Sequence, residues 1–73
     1  MTDSLKQLLR KGRALRVVQG LSQTEMGERL GILQSQVSKI ETGHRIPDLV
    51  LYLNYLNELG YTLVLEKLPD RKD

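Results

Sequence analysis

The chain has 73 residues, of which 40% are hydrophobic, and it carries a net charge of +2 at pH 7. A chain of this length buries only about 60% of the surface that its unfolded form exposes, which excludes a second domain and argues against a large substrate pocket. Because the sequence contains no cysteine, disulfide bonds, a thiol nucleophile and zinc sites built on thiolates are also excluded.

The apolar residues are too scattered for a membrane segment. The longest uninterrupted apolar stretch, residues 49–53, is far shorter than the about 20 residues needed to cross a bilayer. Residues 1–4 lack the basic and then apolar arrangement of a signal peptide. We therefore expect no membrane partner and a cytoplasmic location.

Positive charge is concentrated at the start of the chain. Residues 1–18 contain five basic side chains and one acidic side chain, whereas the later segments are neutral or acidic in balance. Such a segment is typical of a surface that binds a polyanion such as DNA. A solvated basic helix face has the same composition and is the alternative.

Apolar side chains recur at intervals of three and four over residues 5–18, which predicts a first helix with Thr2 or Asp3 as its cap and Gly20 as its end. The segment from Ser22 to Glu25 then has the form of a capping box, in which the two side chains satisfy each other's backbone N–H groups. This motif predicts the start of a second helix. Gly31 ends it after about two turns, since glycine reaches the left-handed conformation of a sharp bend.

A third short helix is predicted over residues 34–41 or 34–42, with Val37 and Ile40 buried. Pro47 cannot continue a helix because it lacks an N–H and restricts the residue before it. A fourth helix is therefore expected over residues 49–59. Its predicted apolar stripe consists of Leu49, Leu53, Leu56 and Leu59.

Two short helices separated by a glycine turn are the most informative feature of the sequence. Gly27 provides the minimal side chain that two closely crossing helices need at their contact, and Gly31 provides the turn. With the segments G-L-S-Q-T-E and Q-V-S-K-I-E-T-G, residues 15–60 resemble the helix-turn-helix family of phage repressors, Cro proteins and related bacterial XRE-type regulators. The resemblance implies a mainly α fold, a lambda-repressor-like bundle of four helices that binds double-stranded DNA. A plain helical hairpin would explain the apolar positions but not the polar ones.

The third helix is predicted to present a polar face opposite its buried side. With Val37 turned inward, helical geometry places four polar residues outward: Gln34, Ser35, Ser38 and Lys39. In a major groove a glutamine pairs with adenine, a lysine donates to guanine, and serines donate or accept. We therefore predict that these four residues read bases. A merely solvated face, the alternative, would be expected to carry more charge.

The resemblance also implies contacts with the DNA backbone around this helix. The predicted phosphate contacts are Gln23, Gln36, His44 and Arg45. The alternatives are that Gln23 is a second capping residue and that His44 is a solvated loop histidine. By the same residue-by-residue match, Arg16 and Glu41 correspond to the family's internal ion pair, which would join the first helix to the end of the recognition helix.

Two departures from the family pattern are informative. Leu33 stands where relatives often have a serine or threonine, which removes the capping hydroxyl. Residues 61–68 are rich in β-forming side chains, whereas most relatives continue with a helix. Because the chain offers this strand no partner, we predict antiparallel pairing with the same strand of a second subunit. The alternative is a strand folded back onto its own helices.

The predicted homodimer surface combines this strand with two residues that lie off the main stripe of the fourth helix. It consists of Val50, Leu51, Tyr61, Leu63, Val64 and Leu65. The predicted helix-turn-helix domain thus covers residues 1–68, and residues 69–73 are expected to form a flexible tail.

Such a dimer would place two recognition helices about 34 Å apart, in successive major grooves, and would read palindromic half-sites. The sequence therefore predicts a dimeric transcriptional repressor with no metal or cofactor. Four helices followed by a dimerising strand resemble HipB-type antitoxins, which implies autoregulation of an operon and a HipA-type kinase toxin as partner. The alternatives are a plain phage-type repressor and a partner-binding module with secondary DNA binding. A single histidine, no cysteine and no phosphate-binding loop argue against an enzyme.

Overall fold

Four helices make up the regular secondary structure of residues 2–70, the part of the chain that the computed structural model describes. In chain order they are α1 (Thr2–Val18), α2 (Gln23–Leu30), α3 (Gln34–Glu41) and α4 (Leu49–Glu58). These bounds confirm the four predicted helices, although α1 begins earlier than its apolar spacing indicates. Within the described residues, no helix is long and apolar enough to span a bilayer.

Side-chain caps fix where α2 and α4 begin. The Glu25 N–H donates to Ser22 Oγ at 3.0 Å, and the Ser22 N–H donates to Glu25 Oε1 at 3.0 Å. This is the predicted capping box, which satisfies N–H groups that a helix start leaves unpaired. Similarly, the Leu51 N–H donates to Asp48 Oδ1 at 2.8 Å. Asp48 therefore caps α4.

The hydrophobic core lies where the four helices meet, and each helix contributes to it. Burial of these side chains supplies the main favourable free energy of folding. The core consists of Leu9, Met26, Val37, Ile40, Tyr52, Tyr55, Leu56 and Leu59.

The buried face of α4 differs from the predicted stripe. Leu49 is 65% exposed, whereas Tyr52 and Tyr55 are 4% and 1% exposed. The tyrosines can enter the core because their hydroxyl groups find partners: the Tyr52 hydroxyl donates to the Leu8 carbonyl oxygen at 2.7 Å, and the Tyr55 hydroxyl donates to Glu41. The prediction that Leu49 is a core residue is therefore wrong, since the face of α4 that meets the core is centred on the tyrosines.

Gly12, in the middle of α1, makes room for the two tyrosine rings. A Cβ atom at this position would overlap the Tyr52 hydroxyl and would lie 3.0 Å from Tyr55 Cε1. The rings themselves stack, with their centroids 5.3 Å apart. Glycine at this position therefore leaves space for the two tyrosine side chains to pack against the backbone of α1.

Beyond Gly60 the chain leaves the helical body. Residues 61–70, the C-terminal segment, are exposed and contain neither strand nor helix. The strand predicted over residues 61–68 is therefore not formed in the single chain, because no other part of residues 2–70 is a strand with which it could pair. Nor does the segment become buried against its own helices. Residues 71–73, part of the predicted flexible tail, lie outside the described residues.

Candidate nucleic-acid interface

Gly27 and Gly31 set the geometry of α2 and α3. A Cβ atom at Gly27 would lie 2.6 Å from the Ile32 carbonyl oxygen, closer than real side chains approach. Gly31 has a φ of 73°, in the left-handed region that glycine adopts without steric cost. Together the two glycines allow the turn to pack tightly on α2 and to present α3 with one face inward and one face in solvent.

The four predicted base-reading residues lie together on α3, away from its buried side. Gln34, Ser35 and Lys39 are exposed, and Ser38 is half-buried. Their spacing of three and four residues places them on neighbouring turns of one helix face. The structure thus forms a short polar surface, hereafter the α3 outer face, consisting of these four residues.

The start of α3 is capped in an unusual way. Leu33 offers no side-chain acceptor, but its N–H donates to Gln36 Oε1 at 3.0 Å, which is the returning half of a capping box. Because the amide oxygen of Gln36 is engaged at the helix start, the amide NH2 is the group that can donate to a phosphate.

Glu41 is buried at 4% exposure and accepts hydrogen bonds from three side chains. Arg16 contacts it at two points, with Nε donating to Oε2 at 2.7 Å and Nη2 donating to Oε1 at 2.8 Å. The Tyr55 hydroxyl donates to Oε2, and Gln23 Nε2 donates to Oε1 at 3.1 Å. The structure thus brings together the two residues that the resemblance pairs, and it adds two donors that the sequence did not indicate. We call these four residues the Glu41 cluster.

The surrounding donors determine the ionisation of the Glu41 cluster. Burial by itself raises the pKa of a carboxyl group, but the hydrogen bonds from Arg16, Tyr55 and Gln23 outweigh burial and hold the pKa of Glu41 below its ordinary value of 4.5. The hydrogen bond to Glu41 raises the pKa of Arg16. Burial, followed by the bond to Glu41, raises the pKa of Tyr55. At neutral pH the cluster is therefore an ionised carboxylate surrounded by protonated donors.

Gln23 connects the Glu41 cluster to the α3 outer face. While its Nε2 donates to Glu41, its Oε1 accepts a hydrogen bond from Gln34 Nε2 at 2.5 Å. Gln23 is half-buried and Gln34 is exposed. The α2 cap is formed by Ser22, so the side chain of Gln23 serves this connection. Gln34 is accordingly held in a defined orientation.

The loop after α3 carries the other two predicted phosphate contacts, His44 and Arg45, both of which are exposed. Thr42 Oγ1 lies 2.8 Å from His44 Nδ1, and the Arg45 N–H donates to the Lys39 carbonyl oxygen at 3.1 Å. These bonds fold the loop back onto the end of α3. The backbone of Arg45 therefore lies at the C-terminal end of α3, close to that of Lys39.

Two basic residues of α1 that the sequence did not single out lie beside this loop. Lys6 and Arg10 are exposed and line a shallow depression together with Thr42 and Gly43. The concentration of positive charge in residues 1–18 indicates contact with a polyanion, but only the packing of α1 against α3 selects these two positions.

The residues predicted to form the dimer surface are exposed in the single chain, with one exception. Val50 is 68% exposed, and Leu65 is fully exposed. Leu51 is half-buried and packs against the core. The other exposed members of the set are Tyr61, Leu63 and Val64.

Comparison with known proteins agrees with this geometry. The helix-turn-helix family model matches residues 13–65, well over half of the chain, and this range contains α2, the turn, α3 and α4. No curated protein and no solved structure matches the chain. The matched range also contains every residue of the α3 outer face and of the Glu41 cluster. The chain therefore belongs to the XRE-type helix-turn-helix family of DNA-binding transcription regulators.

Proposed function

We propose that this protein is a sequence-specific transcriptional repressor that binds operator DNA as a homodimer. The observation that carries the proposal is the α3 outer face, on which Gln34 is oriented by Gln23 and lies on the same helix face as the exposed Ser35 and Lys39. A short, nearly uncharged face of donors and acceptors is suited to the major groove, where base edges present a distinct pattern for each base pair.

Each side chain of the α3 outer face has a chemical role in this proposal. Gln34 pairs with the N6 and N7 edge of adenine, and Lys39 donates to O6 and N7 of guanine. The hydroxyl groups of Ser35 and Ser38 donate or accept according to the base they meet. A good bidentate pair contributes about 1–3 kcal/mol of discrimination against the wrong base.

Contacts with the DNA backbone surround this face. An amide NH2 has two hydrogens, so Gln23 retains one for a phosphate after it donates to Glu41. Such contacts position the protein on the duplex and make its affinity depend on salt. The proposed phosphate contacts are Gln23, Gln36, His44, Arg45, Lys6 and Arg10.

The apolar side chains that the single chain leaves in solvent support a dimer. Val50, Val64 and Leu65 are 68%, 81% and 104% exposed. Large apolar side chains exposed close together mark a surface that another protein covers. We propose that residues 61–68 of two copies pair as antiparallel strands and cover Val50 and Leu51, which gives the strand the partner that it lacks alone. The two copies of α3 then reach successive major grooves about 34 Å apart.

The finer proposal is that the repressor is the antitoxin of a HipBA-like operon, which regulates its own promoter and binds a HipA-type kinase toxin. Four helices followed by an apolar C-terminal segment support this resemblance. A further apolar surface, Val17 and Val18 at 54% and 84% exposure, favours a protein partner and keeps a partner-binding module with secondary DNA binding as the second candidate. A plain phage-type repressor would need no such partner.

The central test compares binding to the preferred operator, selected from random duplexes, with binding to unrelated DNA. Gln34→Ala and Lys39→Ala should each weaken operator binding by about five- to 150-fold and change non-specific binding little. Arg45→Ala should weaken both by a similar factor and reduce the salt dependence. Asn54→Ala, an exposed change on α4, is the control. Equal losses for all three DNA-facing variants on both DNAs would contradict base reading by α3.

A second measurement separates the antitoxin from the plain repressor. Retention on promoter DNA is measured with and without the product of the neighbouring gene. An antitoxin should form a ternary complex with a kinase-like neighbour, whereas a plain repressor should be indifferent to it.

A further inference from the structure

We infer that Leu33, the residue before α3, recognises the C5 methyl group of a thymine that lies next to the base read by Gln34. This inference rests on the proposed base-reading role of the α3 outer face, to which it adds an apolar contact. In the major groove the methyl group distinguishes thymine from the other bases, and apolar side chains contact it.

The side chain of Leu33 is 69% exposed, and the course of the backbone explains why. Leu33 has extended backbone angles, with φ at −77° and ψ at 152°. Successive side chains of an extended segment point to opposite sides. Ile32 packs against the core, so the side chain of Leu33 is directed away from the core and into solvent.

The backbone of Leu33 is held in place on both sides. A Cβ atom at Gly27 would lie 3.4 Å from the carbonyl carbon of Leu33, so the turn packs directly on α2. The Leu33 N–H donates to Gln36 Oε1 at 3.0 Å, and its carbonyl oxygen accepts from the N–H groups of Gln36 and Val37 at 3.0 and 3.1 Å. Leu33 thus offers apolar surface from a fixed backbone, which limits the conformational freedom that binding would remove.

Leucine at this position does not help the protein fold. Serine, threonine, aspartate and asparagine are preferred immediately before a helix, because their side-chain oxygens accept from its first N–H groups. Leu33 provides no such oxygen, and at its exposure it gains little from burial in the core. Neither helix capping nor core packing accounts for a leucine here, whereas an apolar partner outside the chain does.

The place of Leu33 in the chain identifies DNA as that partner. Of the large apolar side chains exposed in residues 2–70, Leu33 is the one that lies within the helix-turn-helix segment from Gln23 to Glu41. It directly precedes Gln34 and Ser35 of the α3 outer face, and the N-terminal residues of a recognition helix are those that contact base edges. A thymine methyl group is the apolar partner that a major groove offers.

The position of the thymine follows from the spacing of the two chains. Successive Cα atoms lie about 3.8 Å apart, and successive base pairs are separated by about 3.4 Å. We therefore expect the thymine at the base pair next to the one whose recognition is lost in Gln34→Ala.

The test removes one methyl group from the DNA and the side chain that meets it from the protein. In the operator selected for the wild type, each thymine of one half-site is replaced in turn by uracil, which keeps the hydrogen-bonding edge of thymine and lacks only its methyl group. At the expected thymine the wild type should bind the uracil operator about fourfold more weakly, the equivalent of one buried methyl group. Leu33→Ala should bind the thymine operator more weakly and should lose the response to uracil at this position alone.

Two further variants control the result. Val18→Ala shortens an apolar side chain that is 84% exposed on α1, and it should respond to uracil as the wild type does. Leu33→Ser supplies an acceptor for the first N–H groups of α3 but no apolar surface, so it should also lose the response. Circular dichroism establishes that each variant folds, and Leu33→Ser carries the test if Leu33→Ala does not fold.

The outcomes separate the inference from the proposed function. A uracil effect that is absent from the wild type, or equal in the wild type and both Leu33 variants at every thymine, would overturn the inference. A selected operator without thymine next to the base affected by Gln34→Ala would also overturn it. Base reading by Gln34 and Lys39 would stand in these cases, because it is measured with their own variants. A wild-type protein whose affinity does not change with DNA sequence would overturn the proposed function itself.

Discussion

A single carboxylate, that of Glu41, joins the hydrophobic core to the surface proposed to meet DNA. Its oxygens accept from Arg16 on α1, Gln23 on α2 and Tyr55 on α4. Three helices are thus tied to the last residue of α3. The position of α3 relative to the rest of the molecule depends on this residue as well as on apolar packing.

Removing the charge at Glu41 should destabilise the protein strongly. Glu41→Gln leaves the Arg16 side chain, only 8% exposed, buried without a counter-charge, which typically costs about 3–5 kcal/mol. The measurement is the free energy of unfolding in denaturant at pH 7. Glu58→Gln is the matched control, because its pair with Arg29 is long, at 3.7 Å, and largely in solvent, and such pairs contribute at most about 1 kcal/mol.

The ion pair of Arg16 and Glu41 also predicts that the stability of the protein depends on pH. Because the pKa of Glu41 is lower in the folded protein than its ordinary 4.5, its contribution to stability is fully present above about pH 4.5 and is lost as the pH falls through the lower, folded-state pKa. The difference in unfolding free energy between wild type and Glu41→Gln should therefore shrink on acidification.

Glu25 provides the comparison for this acid effect, because bonds from Ser22 also lower its pKa and yet it lies on the surface. In proteins that also carry Glu25→Gln, the difference in unfolding free energy between Glu41 and Glu41→Gln should still shrink on acidification. A gap between wild type and Glu41→Gln that stays constant down to pH 2 would contradict this assignment.

At the scale of helices, the contact between α2 and α3 depends on the absence of a side chain at Gly27. Alanine favours a helix interior by about 1 kcal/mol over glycine, so Gly27→Ala would stabilise an isolated helix. Here the new Cβ would lie 2.6 Å from the Ile32 backbone oxygen, and the backbone cannot yield as a flexible side chain would. We expect a net loss of about 1–3 kcal/mol.

The displacement should also affect DNA binding, since it moves Gln34 away from Gln23. The measurement pairs the unfolding free energy with operator affinity. Thr24→Ala, an exposed change in the same helix, should leave both nearly unchanged. A Gly27→Ala variant more stable than the wild type would contradict a tight contact between α2 and the turn before α3.

At the start of α3, in contrast, we expect a substitution to stabilise the protein. Leu33 is 69% exposed and provides no acceptor for the first N–H groups of the helix. Leu33→Ser would supply one while Gln36 keeps its bond to the Leu33 N–H, and a new cap of this kind contributes about 1 kcal/mol. Thermal unfolding should show a higher midpoint. Leu33→Ala, which removes the side chain without adding an acceptor, should not reproduce the gain.

Local signals in the sequence predict most of the helix limits correctly. The capping box of Ser22 and Glu25 and the turn at Gly31 depend on hydrogen bonds and backbone conformations within a few residues. The helix ends that they set can therefore be predicted from the adjacent sequence. The buried face of α4 does not, because Tyr52 and Tyr55 find their hydroxyl partners 44 and 14 residues away. Without those partners a tyrosine is an unfavourable choice for a core, and the sequence pattern therefore favours leucines.

At the scale of the whole molecule, the proposed pairing of the C-terminal segment predicts that the protein is a dimer in solution. Leu63→Lys with Leu65→Lys places two charges on the proposed strand, where they would repel their symmetry mates across a two-fold contact. Sedimentation should show a dimer for the wild type and a monomer for this variant. Gln7→Lys with Ala14→Lys adds the same charge to exposed positions of α1, which contributes no residue to the proposed dimer surface, and should remain dimeric. An unchanged dimer in the leucine variant would refute strand pairing.

The sequence predicts which residues belong to the candidate site, but it does not predict which of them are joined by hydrogen bonds. Helical periodicity identifies which residues of α3 point outward, and resemblance pairs Arg16 with Glu41. The bonds from Glu41 through Gln23 to Gln34 link positions 18 and 11 residues apart on two helices, α2 and α3. Which side chains meet there depends on a crossing angle that no local pattern encodes. In the proposed dimer, the conformation of residues 61–68 depends on a second chain, so it does not follow from local patterns within one chain.

The unequal anchoring of the α3 outer face has a practical consequence for engineering. Within residues 2–70, the side chains of Ser35 and Lys39 form no hydrogen bond with the body, whereas Gln34 is bonded to Gln23. A library randomised at Ser35 and Lys39 can therefore be screened for new operators at little cost to folding. Reprogramming position 34 requires a compatible partner at position 23, so these two codons should be varied together.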